Sequence, residues 1–369
     1  MSNRSIFIAA TGQHVGKTTL CLGIIAGLKK RYPSVGFIKP VGQQHVTIDP
    51  STIVDKDAVL FKKHFHLPTS WKNMSPVIIP SGFTRDYIDQ KITEKHLLEN
   101  IHRSYKEVMD ANAFTVVEGT GHVGVGSIVN LNNAKVAAEL GLDMVIIASG
   151  GLGSSHDELS LNIALCEQYG VKVRGVILNR VIDEKREMIL NYFPRSLKKW
   201  NIPLIGCVPY NSFLDKPTIR DFESLFDTQL LSGEKHHYRH FISFRLVAGS
   251  VGTFKNEIIP SELIITPATR DDIIFAYIEQ NEKREKDLEG GLILTGRHPP
   301  SKDSLEALSK TNIPSLYAPV CSFDAMKMIT SFTAKIRTKD LPKIERAIKL
   351  VEENIDFDLL TTSVQNSVV

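Results

Sequence analysis

Cysteine is scarce in this sequence, and its spacing argues against two kinds of site. The four cysteines among 369 residues are scattered, and no two of them form a C-x-x-C pair. Structural zinc sites need ligand pairs at short spacing, and disulfide scaffolds need a dense set of cysteines. We therefore expect core or surface thiols in a reducing compartment, with neither a structural zinc nor a disulfide framework.

Long hydrophobic runs and a large excess of one charge are missing as well. The longest apolar runs span about four to six residues, whereas a membrane helix needs about twenty. The net charge is only +3, and no lysine or arginine cluster interleaves with aromatic residues, which argues against nucleic-acid binding. The first strand follows Met1 too closely for a signal peptide. We expect a cytoplasmic protein that does not bind a membrane and is long enough for two domains.

The most informative stretch lies near the start of the chain. Ile6 to Ile8 form a short apolar run typical of a buried strand, and a glycine-containing turn follows. Gly16-Lys-Thr-Thr19 then opens a segment with apolar residues at i, i+4 and i+8, beginning at Leu20. Strand, turn and helix in this order predict a phosphate-binding P-loop. The strict motif requires its first glycine at position 11. This sequence has Thr11 there and a glycine one position later, at Gly12.

The motif assigns a chemical role to each of its polar residues. Backbone N–H groups of the loop and the helix N-terminus would bind phosphate oxygens. Lys17 would neutralise the β- and γ-phosphates, and the Thr18 hydroxyl would ligate Mg²⁺. The alternative is a plain strand-to-helix turn that happens to carry a lysine.

Charged residues also stand at the ends of two later strands. Lys39 follows the strand beginning at Val35, and Glu118 ends the apolar strand beginning at Phe114. Open α/β sheets bind ligands at this edge, so Lys39 is a candidate for phosphate and Glu118 for Mg²⁺. The alternatives are a solvated strand end and a helix-capping carboxylate. Asp55 and Asp57 are equally good candidates for a helix cap or for a metal ligand.

The order of predicted elements indicates the fold class. Strands alternate with helices up to about residue 210, which predicts an α/β fold with a parallel sheet covered by helices on both faces. Residues 68–90 have an irregular pattern and suggest a lid or a substrate loop. A second, smaller α/β domain is expected over 213–358, after a first domain over 1–212, and residues 359–369 are expected to be a polar, disordered tail.

Three histidines, His236, His237 and His240, stand close together in the second domain. They lie in a hydrophilic stretch without cysteines or carboxylates at ligand spacing, so a solvated loop is favoured over a metal site.

Five segments of the first domain resemble the dethiobiotin synthetase family and its P-loop relatives, the cobyrinic acid amide synthases. The same segments are similar to the N-terminal domain of long phosphate acetyltransferases. They occur in the family's order and cover about residues 5–210: Thr11-Gly-Gln-His-Val-Gly-Lys-Thr18, Lys39-Pro-Val41, Val117-Glu-Gly-Thr-Gly121, Gly151-Leu-Gly-Ser-Ser-His156 and Leu178-Asn179.

The second domain resembles the DRTGG domain, which is named for a five-residue motif. The similar stretches are Ile264-Ile-Thr-Pro-Ala-Thr-Arg-Asp-Asp-Ile273, Gly291-Leu-Ile-Leu-Thr-Gly-Arg297 and Lys335-Ile-Arg337. This resemblance implies a P-loop NTPase-type domain followed by a smaller regulatory or oligomerisation domain. A homo-oligomer is expected.

The resemblance implies a set of ligand-binding positions. Lys17 and Lys39 match the family's catalytic lysines, and ATP and Mg²⁺ are the expected cofactors. Metal ligands are expected at Thr18, Asp57 and Glu118. Nucleotide contacts are expected from Gly12, Gln13, His14, Val15, Gly16, Lys17, Thr18, Thr19 and Asn179. Of these residues, Asn179 is expected to contact the adenine.

Two functions follow from these expectations. The first is an ATP-dependent ligase that activates a small carboxylate or carbamate for attack by nitrogen. The second is a nucleotide-sensing regulatory protein without such turnover, which binds ATP and a small effector. Gly42-Gln-Gln44 and His122 depart from the synthetase pattern where the substrate would lie, whereas the ATP positions are retained.

Overall fold

The computed structural model describes residues 4–362, which form two compact units. Within this range, the first unit contains residues 4–211 together with 336–362, and the second contains 212–335. This division differs from the expected domain boundary, which assigned residues 336–358 to the second domain. Of the predicted tail, residues 363–369 lie outside the described residues, whereas residues 359–361 are part of a helix.

Fifteen strands occur in the described residues. They are β1 Ser5–Ala10, β2 Val35–Ile38, β3 Val41–Gly42, β4 His45–Asp49, β5 Thr52–Asp55, β6 Val77–Ile78, β7 Phe114–His122, β8 Met144–Ser149, β9 Val173–Val181, β10 Leu204–Pro209, β11 Leu230–Ser232, β12 Ser243–Leu246, β13 Glu262–Pro267, β14 Gly291–Thr295 and β15 Ser315–Ala318.

Sixteen α-helices accompany these strands in the same range of residues. They are α1 Lys17–Lys29, α2 Lys56–Phe65, α3 Trp71–Met74, α4 Phe83–Ile88, α5 Glu94–Asp110, α6 Asn133–Glu139, α7 Gly153–Gln168, α8 Asp183–Leu197, α9 Ser212–Asp215, α10 Ile219–Phe226, α11 Val251–Asn256, α12 Asp271–Glu282, α13 Lys302–Ser309, α14 Ser322–Thr330, α15 Leu341–Glu352 and α16 Phe357–Thr361.

The first unit is built on a six-stranded parallel sheet with the order β10-β9-β8-β1-β7-β2. Its central strands are buried on both faces, because their sequences are continuous apolar runs of the kind that parallel sheets require. The chain leaves β1 toward β2 on one side and later continues from β8 to β10 on the other. The carboxyl ends of β1, β7 and β8 therefore meet at a point where the strand order reverses, which is the place where such sheets bind ligands.

Helix α1 is covered by the C-terminal segment of the chain. The predicted apolar stripe from Leu20 to Leu28 is buried, but so are Cys21 and Ile25 outside it, because α15 packs along α1. Gly23 allows this approach, because a Cβ there would come within 3.0 Å of Val351 in α15. Gly27 makes room in the same way for Phe357 of α16.

The second unit contains a five-stranded sheet with the order β11-β15-β14-β13-β12. Strands β12 to β15 are parallel, and β11 pairs antiparallel with β15. Apolar clusters built around Phe254 and Tyr277 on one side and Phe222 and Phe241 on the other form its core. The predicted α/β character of both domains is confirmed.

Two stretches have more regular structure than their sequences indicated. Residues 68–90 contain α3, β6 and α4, which are too short to produce a periodic pattern. The stretch 216–250 contains α10, β11 and β12. No helix in the described part of the chain combines the length and the apolar character that crossing a membrane requires.

Candidate functional site

The loop between β1 and α1 has the backbone shape of an anion-binding turn. His14 and Gly16 adopt left-handed conformations, with φ values of 59° and 97°. Such alternation turns successive N–H groups toward one side, which creates a concave site for phosphate. Gln13 and His14 are exposed at the tip of the loop, whereas Val15 is buried beneath it.

Asn179, near the end of β9, holds this loop through a hydrogen bond to its backbone. Its Nδ2 donates a hydrogen bond to the carbonyl oxygen of Val15 over 2.7 Å. A Cβ added to Gly16 would come within 3.0 Å of the same nitrogen. The amide expected to contact adenine is thus tied to the phosphate loop, and its contact with the base stays a prediction.

Lys17 extends from the first residue of α1 to the end of the neighbouring strand β7. Its Nζ donates to the carbonyl oxygen of Gly121 over 2.7 Å. Burial lowers the pKa of Lys17, and the carboxylate of Glu118 opposes that shift. Lys17 therefore lies between the ends of β1 and β7, where a phosphate bound by the loop would meet it.

Lys39 lies among three carboxylates at the same edge of the sheet. Its Nζ forms ion pairs with Asp57, with Asp55 Oδ1 at 3.2 Å and with Glu118 Oε1 at 3.5 Å. Burial disfavours the charge on Lys39, but the carboxylates of Asp57, Glu118 and Asp55 outweigh burial and raise its pKa. Lys39 is therefore a buried, ion-paired ammonium and not a solvated strand end.

Asp55 and Asp57, which the sequence left as equal candidates, have different environments. Asp55 is buried and caps α2, because its Oδ1 accepts the N–H of Asp57 at 2.9 Å and its Oδ2 accepts that of Gln44 at 3.3 Å. The side chain of Asp57 is 25% exposed, and its Oδ1 accepts the hydroxyl of Thr18 at 3.3 Å. The geometry favours Asp57 as the metal ligand.

Glu118 is the least compensated group of the site. It is fully buried, and neither carboxylate oxygen has a hydrogen-bond partner. Burial raises the pKa of Glu118 to about 7, with Lys39 opposing the shift and Asp57 adding to it. A buried carboxylate that shares its counter-ion with two other carboxylates, as Glu118 shares Lys39, is costly to keep charged.

These residues fit a magnesium ion that arrives with a nucleotide. Among residues 4–362, no group of three or more histidine, cysteine, aspartate or glutamate side chains is arranged to hold a metal alone. Mg²⁺ is usually held by one or two carboxylates together with phosphate oxygens and water. The oxygens of Thr18, Asp57 and Glu118 supply such a partial set.

Helix α7 contributes two residues that the sequence reasoning missed. Thr11 Oγ1 donates to Glu158 Oε2 at 2.8 Å. Asn162 accepts the N–H of Val123 at 3.0 Å and donates to the carbonyl oxygen of Thr11 at 3.4 Å. Together they connect the start of the phosphate loop with the end of β7. Their i, i+4 spacing behind a glycine-rich loop was the available signal.

The histidines of the second unit are half-buried and not simply solvated. His237 Nε2 lies 2.7 Å from Glu223 Oε2, which also accepts a hydrogen bond from Arg220 at 2.6 Å. His236 Nε2 lies 4.0 Å from Asp287. His236 and His237 thus lie beside carboxylates of their own unit, and the favoured reading of a stretch without a metal site stays a prediction.

Two family profiles match the chain, one in each half. The profile described as AAA domain matches residues 4–218, and the profile described as DRTGG domain matches residues 224–332. The first covers more than half of the sequence.

Curated relatives that are similar to this chain include phosphate acetyltransferases and a dethiobiotin synthetase. The phosphate acetyltransferase of Nitratidesulfovibrio vulgaris is 26% identical over 375 residues, which cover 99% of this chain and 52% of that protein. The phosphate acetyltransferase of Pseudomonas putida is 28% identical, with 96% and 51% covered. The ATP-dependent dethiobiotin synthetase of Methanocaldococcus jannaschii is 30% identical over 209 residues, which cover 55% of this chain and 92% of that protein. The chain spans about half the length of the phosphate acetyltransferases.

Proposed function

Because this chain belongs to the AAA domain family, with a P-loop resembling that of dethiobiotin synthetases and a DRTGG domain behind it, we propose that it binds ATP with Mg²⁺ and acts as a nucleotide sensor. One observation carries the proposal. Lys17 and Thr18 of the loop reach the edge of the sheet where the strand order reverses, Thr18 donates a hydrogen bond to Asp57 there, and the fully buried Glu118 lies 3.5 Å from Lys39 at the same edge.

The residues divide the nucleotide among them. The loop from Gly12 to Gly16 and the N-terminus of α1 bind phosphate oxygens, and Lys17 neutralises their charge. Thr18, Asp57 and Glu118 hold Mg²⁺, which screens the phosphates when it is bound. Asn179 keeps the loop in its binding conformation through Val15.

The sensing function is supported by the extent over which each kind of relative aligns with this chain. The phosphate acetyltransferases align across both units, whereas the dethiobiotin synthetase aligns with the first alone. We infer that this chain corresponds to a nucleotide-responsive part of such an enzyme. A small metabolite is the expected effector, and the second unit is the expected place for it.

A homo-oligomer is part of the proposal, since symmetric self-association is the commonest use of an accessory domain. Light scattering on the full chain should give a multiple of the 41.1 kDa chain mass. A monomer at micromolar concentration would contradict this part of the proposal and leave nucleotide binding unaffected.

A ligase is the second candidate, and Lys39 favours it. A buried ammonium beside the phosphate site is suited to stabilise charge on a transferring phosphoryl group. In that reaction a small carboxylate or carbamate would attack the γ-phosphorus of ATP, ADP would leave, and nitrogen would then displace phosphate.

One experiment separates the two functions. The purified protein is incubated with ATP and Mg²⁺, with and without a small-metabolite extract, and both bound nucleotide and released ADP are measured. A sensor binds ATP and releases little ADP in either case. ADP release that depends on the extract supports the ligase, and absence of ATP binding rejects both.

A further inference from the structure

The ammonium of Lys39 occupies the centre of the acidic cluster. Three carboxylates surround it, from Asp55, Asp57 and Glu118, and its side chain is only 8% exposed. The backbone N–H of Lys39 is held by the carbonyl oxygen of Met74 at 2.8 Å, so the base of the side chain is fixed.

The ion pairs of Lys39 connect all three carboxylates of this cluster. Lys17, the other nearby lysine, gives its hydrogen bond to the carbonyl oxygen of Gly121. Three carboxylate groups therefore share the ammonium of Lys39. Glu118, which is fully buried, has the longest of the three ion pairs, with Oε1 at 3.5 Å from Lys39.

The oxygens that contact Lys39 are also those that fit the metal. Asp57 Oδ1 accepts the Thr18 hydroxyl at 3.3 Å, while its Oδ2 pairs with Lys39. A hard divalent cation and an ammonium seek the same carboxylate oxygens, so both cannot have them fully.

We propose that Lys39 is an internal counter-ion that holds the metal ligands of the nucleotide-free protein and excludes divalent cations until a nucleotide arrives. The inference rests on the proposed function, because it takes Asp57 and Glu118 as metal ligands. A tethered cation competes at a high effective concentration, so a free metal ion displaces it only with help. Phosphate oxygens supply that help, since they add metal ligands and offer the ammonium a new partner.

Metal binding to the nucleotide-free protein tests the inference. Mn²⁺ serves as the probe, and free Mn²⁺ is measured by electron paramagnetic resonance during titration of the full chain. Lys39→Met should bind Mn²⁺ about tenfold or more tightly than the wild type, because it removes a contacting positive charge. Lys39→Arg should keep the weak affinity, and Lys349→Met, at a lysine whose side chain is 67% exposed, should behave like the wild type.

A second measurement uses the wild-type fold. In protein carrying ¹⁵N-labelled lysine, the Nζ signal assigned to Lys39 should persist when Mg²⁺ is added alone and should shift when Mg²⁺ and ATP are added together. Equal Mn²⁺ affinity of wild type and Lys39→Met would overturn the inference, as would a Lys39 signal that Mg²⁺ alone shifts at millimolar concentration. The Mn²⁺ titration contains no nucleotide, so a failure of the proposed ATP binding would not change its result.

Discussion

The side-chain amide of Asn179 holds the carbonyl oxygen of Val15 at 2.7 Å and fills the space beside Gly16. Two residues that are more than 160 positions apart thus fix the phosphate loop together. The loop tolerates no side chain at Gly16, both because of this contact and because its φ of 97° is left-handed.

Gly16→Ala should therefore lose ATP binding, by about tenfold or more, since the loop has to move to accommodate both strain and clash. Gly141→Ala is a matched control outside the loop. Its φ of 64° is also left-handed, but a Cβ there would meet nothing within 4 Å, so its ATP affinity should stay within about twofold of wild type. Equilibrium titration with a fluorescent ATP analogue compares the two. Equal affinities of both variants would contradict this account of the loop.

Gly23→Ala should destabilise the protein by about 1–3 kcal/mol, because the added methyl group overlaps Val351 of α15. Gly252→Ala, inside α11, changes helix propensity in the same way but meets only Ser250, at 3.9 Å. Urea unfolding followed by circular dichroism gives both values. Equal unfolding free energies of Gly23→Ala and Gly252→Ala would contradict the close packing of α1 on α15.

A fragment of residues 1–212 should be markedly less stable than the first unit of the full chain. It lacks Val351 and Phe357, which cover α1, and burial of each side chain contributes roughly 1.5–3 kcal/mol. It also lacks the carbonyl oxygen of Leu360, which accepts a hydrogen bond at 3.1 Å from the buried Arg174. Thermal melting should show a lower transition for the fragment, and a peptide of residues 336–362 should raise it. A fragment as stable as the full chain would contradict the structural division.

Glu118→Gln should weaken Mg²⁺-dependent ATP binding more than binding of ATP in the presence of a chelator. The substitution keeps the shape of a fully buried side chain and removes its charge, so the metal loses a ligand while Lys17 and the loop remain. Calorimetry with and without EDTA measures the ratio, which should fall about tenfold relative to wild type. Glu139→Gln, on the surface, should leave the ratio unchanged. An unaltered ratio in Glu118→Gln would remove Glu118 from the metal site.

Local features of the sequence were sufficient to predict the order of strands along the chain and the position of the phosphate loop. The run before Gly12 reads as a buried strand, and Lys17 follows at the required spacing, so motif and period point to one structure. Lys39 and Glu118 were identified because strand ends of a parallel sheet share one edge.

Contacts between distant segments were not accessible in the same way. The apolar stripe of α15 indicates that one face is buried but does not identify Gly23 as the contact of Val351, and the sequence of α16 does not identify Gly27 as the contact of Phe357. The difference between Asp55 and Asp57 depends on the N–H of Gln44 and the hydroxyl of Thr18, which only the folded chain brings near. Glu158 was missed for the same reason, since its partner Thr11 is 147 residues away.

Calorimetric titration of ATP into the full chain with Mg²⁺ tests the central claim most directly. Wild type should bind one ATP per chain, and Lys17→Ala should bind at least about tenfold more weakly, because a charge-assisted contact to phosphate is lost. Lys310→Ala, at a lysine whose side chain is 70% exposed in the second unit, should match the wild type. Equal ATP affinity of wild type and Lys17→Ala, or no binding by the wild type, would contradict the account.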